Sequence, residues 1–306
     1  MIGVGAIGGY YGARLHQAGH PVRFLARSDA DHVRRHGLRV DSIDGDAVLD
    51  VEVHDDPAGL PASDTIVVAT KTTANPEIAQ LVGRLVAGRD DVSILVMQNG
   101  LGVEATFAAV APGAPVVGAM CFMCCNKIGP GHIHHLDAGA VTAGEHRADG
   151  SAAGVTPAVQ AVVDDLSGAA VKASPVESLE TGRWQKLVWN MAFNGLSVVA
   201  DRPTDGLVTE PDLRARAIAI MQEVVAGADA CGHPFDPAFV DRMVRTTEEM
   251  TPYLPSMKLD HDAGRALELD AIYVAPTVAA RAAGAPMVES ERLLAELRLL
   301  DPAAYS

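Results

Sequence analysis

Through the first half of the chain, short β-branched runs alternate with longer stretches rich in Ala and Leu. Residues 21–25, 65–69, 93–97 and 115–119 read as strands, with helical or looped segments between them. The runs at 65–69 and 94–97 are almost wholly apolar, as strands covered on both faces must be. Alternation of this kind predicts parallel strands joined by crossovers, an α/β doubly wound sheet. From about Val171 the strand-like runs nearly vanish and the pattern turns helical over 179–199, 210–231, 237–250 and 265–284. The expectation is therefore an N-terminal doubly wound parallel sheet over residues 1–168, followed by an all-helical C-terminal domain over 169–306. A length of 306 residues suits two cores of about 150 residues each.

Composition narrows the partners. Apolar residues make up 48% and charged residues 21%, the balance of a folded chain, and with aromatics at 4% the core must be filled by Ala, Val and Leu. A formal charge of −15 repels a phosphate backbone over most of the surface, which argues against nucleic acid and requires local positive charge for any anionic ligand. No apolar run approaches the ~20 residues of a membrane span, and the start lacks the basic segment and apolar stretch of a signal peptide. A cytoplasmic location with reduced thiols is the expectation for Cys121, Cys124, Cys125 and Cys231, too few and too clustered for a disulfide scaffold.

The most local chemistry lies at the start. Gly3-Val4-Gly5-Ala6-Ile7-Gly8 fits the dinucleotide fingerprint of a Rossmann-type domain: two glycines let the backbone approach a pyrophosphate, and Gly8 permits close helix packing. A helical stretch over 9–19 and the predicted strand at 21–25 supply the context the motif needs. After that strand an NAD enzyme places an acidic residue for the ribose, whereas this chain reads Leu25-Ala26-Arg27-Ser28. A guanidinium at Arg27 can grip a 2′-phosphate, which favours NADPH over NADH. A buried first strand of ~5 residues should precede the fingerprint, yet only Met1 and Ile2 do, so the natural start is expected to lie a few residues upstream.

In Arg183-Trp184-Gln185-Lys186-Leu187-Val188-Trp189-Asn190-Met191-Ala192-Phe193-Asn194, the residues Lys186, Asn190 and Asn194 recur at i, i+4 and i+8. In an α-helix they drift only about 40° per step, so a cation and two amides share one side. Set among large apolar residues, they are poor core material and call for a polar ligand. This segment resembles the signature helix of the ketopantoate reductases, and four further places extend the resemblance. Thr70-Lys71 resembles the family lysine near the cofactor, and Gln98-Asn99-Gly100-Leu101-Gly102 its Asn-Gly turn at the nicotinamide end. Pro255-Ser256-Met257-Lys258-Leu259-Asp260 resembles its Ser-Met segment, and Glu268 its glutamate.

The resemblance implies an NADP-dependent oxidoreductase of pantothenate biosynthesis that reduces a 2-oxo acid, 2-dehydropantoate in the first instance. Lys186 would be the general acid, with Asn99, Asn190, Asn194 and Ser256 on the substrate. Gly3, Gly5, Ala6, Ile7, Gly8, Arg27, Lys71, Asn99 and Glu268 would hold the cofactor. The chain departs from the family at Arg202-Pro203-Thr204-Asp205-Gly206, where an Asn is frequent, and at Tyr253 and Lys258. Those departures leave open a related reductase acting on another 2-oxo acid or carbonyl. A non-catalytic dinucleotide sensor is the reading from another class, against which Lys186 and Glu268 argue. The helical half is the expected place for a homodimer contact. Cys121, Cys124 and Cys125, with His132, His134 and His135 close behind, invite a zinc site, but the spacing lacks paired ligands on both sides of a loop. The expectation is no metal, with His135 structural.

Overall fold

The computed structural model describes residues 1–89 and 91–305. They form two compact units: Met1–Gln98 with Val103–Leu179, and Asn99–Gly102 with Glu180–Ser306.

The first unit opens with Gly5 leading into α1 (Ala6–Gln17), followed by β1 (Arg23–Leu25), α2 (Ala30–His36), β2 (Leu38–Ser42), β3 (Ala47–Leu49) and β4 (Glu52–His54). Then come β5 (Thr65–Val68), α3 (Asn75–Val86), β6 (Ser93–Val96), α4 (Val103–Ala108), β7 (Val116–Gly129), β8 (His132–Glu145), α5 (Pro157–Gly168) and β9 (Ala173–Pro175). Strands β5, β6 and β7 run parallel in that order, in register Val68 to Val96 and Val96 to Gly118. Ile2 bridges Leu25 on one side and Val68 on the other, both parallel, so residues 1–3 occupy the central strand position between β1 and β5. This is the predicted Rossmann-type α/β sheet, and its core is largely the expected Ala, Val and Leu, joined by Tyr10, Tyr11 and Phe24.

Two features go beyond the sequence reading. The strand predicted over 115–119 runs on to Gly129 and pairs antiparallel with β8, with register shifts at Phe122/Met123, Cys124/Cys125 and Lys127/Gly129. Strand β2 then adds parallel to β8, and β3 antiparallel to β2. The first unit also extends past the boundary expected after Gly168, because β9 pairs parallel with β8 in register Val141 to Ala173.

Apart from the Asn99–Gly102 turn, the second unit is helical: α6 (Leu179–Trp189), α7 (Gly195–Val199), α8 (Thr204–Thr209), α9 (Pro211–Ala230), α10 (Phe239–Glu249), α11 (Ser256–Asp262), α12 (Ala275–Ala282) and α13 (Val288–Leu300). Between α6 and α7 the chain makes a π turn over Asn190–Asn194, and before α12 a second over Asp270–Val274. Its core gathers Trp184, Leu187, Val188, Phe193 and Leu196 with residues of α9 and α13, so the apolar part of the signature segment is buried as its pattern requires.

Candidate active site

In the first unit, each glycine of the opening turn answers to a different demand. Gly3 has φ +99°, a conformation that disfavours any Cβ. A Cβ on Gly8 would stand 2.1 Å from the Gly3 carbonyl oxygen, so the close packing of α1 on the turn fixes that glycine. Gly5 is different. Its φ of −83° suits any residue, and nothing lies within 4 Å of where its Cβ would be. The fold does not require glycine there, and the space beside the start of α1 is open. The N-cap Gly5 makes no side-chain cap bond and the first turn of α1 carries no acidic residue, a helix start that suits an anion. Ala6 and Ile7 belong to that first turn. The arrangement fits a dinucleotide pyrophosphate.

Arg27 follows β1 and is exposed, its Nη1 3.8 Å from the exposed Glu77 carboxylate. The loop it stands on is pinned from below by Asp29, which the sequence reading passed over. This buried carboxylate accepts from Ser28 Oγ at 2.9 Å, from the Gly131 N–H at 2.9 Å and from Lys127 Nζ at 2.6 Å. Burial by itself pushes the Asp29 carboxyl up, but the Lys127 ammonium and the N–H and hydroxyl donors outweigh it and hold it below the usual range. The Ser28 hydroxyl beside Arg27 is thus turned to Asp29.

Lys71 is exposed in the loop after β5. That loop is held by Gln98, whose Nε2 donates to Thr70 O at 2.9 Å and to Asn75 Oδ1 at 2.6 Å, while Asn75 Nδ2 returns a bond to Gln98 Oε1 at 3.1 Å. The pair ties the ends of β5 and β6 at the edge where such sheets bind ligands. A glutamine directly before an Asn-Gly turn was the only signal for it.

The second unit brings the other predicted residues together. Lys186 is half-buried on α6, and Asn190 and Asn194 are buried at either end of the π turn. The two amides therefore do not sit on a continuous α-helix as expected. A wider turn rotates less per residue than the ~100° of an α-helix, which offsets the drift between them. The Asn190 Nδ2 is buried and has no hydrogen-bond partner among the described residues, a cost of about 1–3 kcal/mol unless a ligand meets it. Ser256, half-buried, begins α11, which packs on α7 and on this π turn. Glu268 is buried just before the second π turn. The Asn99–Gly102 turn docks on the same element: Leu101 N–H donates to Ala271 O at 2.9 Å. Gly100, with φ +110°, has the Ala271 backbone 2.7 Å from where its Cβ would be. Asn99 and Glu268 thus belong to neighbouring pieces of one packed region.

The departures at Thr204 and Tyr253 meet each other. Thr204 N–H donates to Tyr253 O at 3.0 Å, and Tyr253 N–H donates to Thr204 Oγ1 at 3.1 Å. Lys258 is buried and pairs with Asp201 at 2.7 Å and with Asp262.

The cysteine and histidine run lies on β7 and β8. Cys125 is opposite His135, and burial, with Cys124 beside it, pushes its thiol up to about 12. His135 has both ring nitrogens engaged, Nδ1 with Ser42 Oγ at 2.8 Å and Nε2 with Ala138 O at 3.1 Å. No group of three or more His, Cys, Asp or Glu placed to hold a metal occurs among the described residues.

Residues 1–148 match the family model described as "Ketopantoate reductase PanE/ApbA", and residues 178–301 match "Ketopantoate reductase PanE/ApbA C terminal". The chain belongs to the ketopantoate reductase family. It is 41% identical over 302 residues to a 2-dehydropantoate 2-reductase of Nostoc sp., covering 98% of this chain and 94% of that protein. The crystal structure of 2-dehydropantoate 2-reductase from Geobacter metallireducens superimposes with a TM-score of 0.92 at 35% identity, covering 97% of this chain and 98% of that one. That from Methylococcus capsulatus gives 0.86 at 32% identity, covering 98% and 95%. Membership makes the chain an oxidoreductase acting on a CH–OH group, built on the ketopantoate reductase fold. No helix of the described residues is long and apolar enough to cross a membrane.

Proposed function

We propose that the chain reduces 2-dehydropantoate to pantoate with NADPH, using Lys186 as general acid. The observation that carries this reading is the buried Asn190 Nδ2, without a hydrogen-bond partner among the described residues, four residues from Lys186 on the segment that resembles the family signature. An amide left without a partner inside a packed core is destabilising, and a substrate oxygen would satisfy it. The names of the relatives supply the substrate: the Nostoc, Geobacter and Methylococcus proteins are all 2-dehydropantoate 2-reductases.

Bound NADPH would supply the hydride. The open face at Gly5 and the start of α1, whose N-cap makes no side-chain cap bond, suit its pyrophosphate, and Gly3, Ala6, Ile7 and Gly8 shape that turn. Arg27, just after β1, would meet a 2′-phosphate, a bidentate partner that NADH lacks. Lys71, Asn99 and Glu268 are the remaining cofactor contacts that the family pattern assigns. On the substrate, the Lys186 ammonium polarises the ketone oxygen, stabilises the negative charge that grows there, and gives up its proton to form the hydroxyl. Asn190 and Asn194 orient the substrate's oxygens without adding charge, and Ser256 donates to its carboxylate. Homodimer formation and cytoplasmic residence are part of the same proposal, by analogy with the family.

The test is oxidation of NADPH against a panel of 2-oxo acids, with Lys186→Ala alongside. We expect 2-dehydropantoate to give the highest kcat/KM, and Lys186→Ala to lower kcat by about a hundredfold or more while NADPH still binds in a fluorescence titration. Turnover that survives the substitution refutes the assigned proton donor, and a better substrate elsewhere in the panel refutes the specificity.

A further inference from the structure

The helix bearing Lys186 leaves α geometry at Asn190–Asn194, and a side chain from 82 residues further along the chain meets it there. In an α-helix the N–H of residue 195 would bond the carbonyl of residue 191. Here the Tyr273 hydroxyl stands between them. It donates to Met191 O at 2.8 Å, and the Gly195 N–H faces the same phenol oxygen. Tyr273 is fully buried, so water cannot compete for either bond. Room for the hydroxyl depends on glycine at 195, where a Cβ would sit 2.3 Å from the phenol oxygen. A side chain inserted into the ladder holds one hydrogen-bonded pair open, and the backbone accommodates it as a π turn.

The wedge is itself braced. Tyr273 lies on the second π turn, and Thr277 Oγ1 donates to Tyr273 O at 2.7 Å and reaches Val274 O at 3.1 Å. On the other side, Ser197 Oγ donates to Asn194 O at 2.8 Å. Both asparagines are buried at the two ends of the wedged turn, so the direction of Asn194 relative to Asn190 and Lys186 follows from whether the turn is π or α.

We infer that Tyr273 is a positioning residue whose hydroxyl wedges the Lys186 helix into a π turn and so aims Asn190 and Asn194 at the substrate. This rests on the substrate reading proposed above, in which those amides hold the oxo acid. Tyr273 touches no reacting atom; it acts through the backbone of residues 191–195.

The test is Tyr273→Phe, which keeps the ring and removes the wedge. We expect KM for the accepted 2-oxo acid to rise about tenfold, in keeping with a mis-set hydrogen bond to substrate. We expect kcat to stay within about threefold and NADPH affinity to be unchanged. Val244→Ala, in the core on α10, is the control for lost packing: it lowers the melting temperature and leaves KM alone. Gly195→Ala supplies a second line, because its methyl collides with the phenol oxygen. It should raise KM less in the Tyr273→Phe background than in the wild type. A Tyr273→Phe enzyme with wild-type KM, or one whose KM change Val244→Ala reproduces, overturns the inference while the substrate reading stands. A wild type that reduces no 2-oxo acid in the panel sinks that reading and the inference with it.

Discussion

Gly5 and Gly8 stand three residues apart in one turn, yet a methyl group should affect them in opposite ways. At Gly8 the added Cβ would lie 2.1 Å from Gly3 O and 3.0 Å from Ala69 Cβ, both parts of the packed sheet edge. Relieving the first contact means moving α1 away from the turn by roughly an ångström, an overpacking of the kind that costs about 1–3 kcal/mol. For a unit of this size that lowers the melting temperature by roughly 3–10 °C. At Gly5 the backbone is extended and no atom lies within 4 Å, so Ala should be neutral or should gain about 0.4–1 kcal/mol from a stiffer unfolded chain. Its methyl instead occupies the space the pyrophosphate would use. Losing one charge-assisted bond from the start of α1, worth about 1.5–3 kcal/mol, weakens NADPH binding by roughly ten- to a hundredfold. Differential scanning fluorimetry and NADPH fluorescence titration on both variants separate the two effects. Wild-type NADPH affinity in Gly5→Ala would falsify the placement of the cofactor at this turn, and equal destabilisation of both variants would refute the division of labour between the glycines.

Two further outcomes follow from the loop after β1. Arg27→Ala should raise KM for NADPH about tenfold or more and leave KM for NADH nearly unchanged, since only the former carries the 2′-phosphate; parallel steady-state kinetics with the two cofactors check it, and an equal effect on both rules out the assigned contact. Asp29→Asn should cost about 1–3 kcal/mol at neutral pH through its three donors. Because the Asp29 carboxyl is held below the unfolded value of 3.8, its stabilisation is present above about pH 4 and is lost as pH falls through the lowered folded value. The gap in melting temperature between wild type and variant should therefore hold at higher pH and close as pH falls below about 4. A gap that persists into acid assigns the effect to packing.

Much of the molecule was readable from the chain because the signals are local. The Gly3 to Gly8 turn, the apolar strands β5 and β6 and the long helices of the second unit each declare themselves within a window of a dozen residues. The run past Ala119 into β7 did not, since Cys124, Asn126 and Lys127 belong to no apolar alternation; their extended backbone comes from pairing with β8, and the register shifts break any period. Strands β2 and β3 were also missed: β2 is short and mixed in polarity, and β3 is only three residues at the outer edge of its sheet.

The candidate site divides in the same way. Residue types and spacing were enough to pick out Lys186, Asn190 and Asn194, because a cation and amides in an apolar helix need a reason wherever they occur, whereas Ser256 and Glu268 were singled out only by the resemblance to the ketopantoate reductases. Spacing assumed an unbroken α-helix, however, and the π turn overrides it through a tyrosine far along the chain. The Asp29 anchor under Arg27 and the Gln98 to Asn75 pair under Lys71 were equally invisible, each depending on a partner brought in by folding. Sequence alone determined which groups this chain has for binding and chemistry, since local pattern fixes residue type and secondary structure. Tertiary structure decided how those groups are aimed, because aim depends on hydrogen bonds and steric contacts between residues that meet only once the chain has packed.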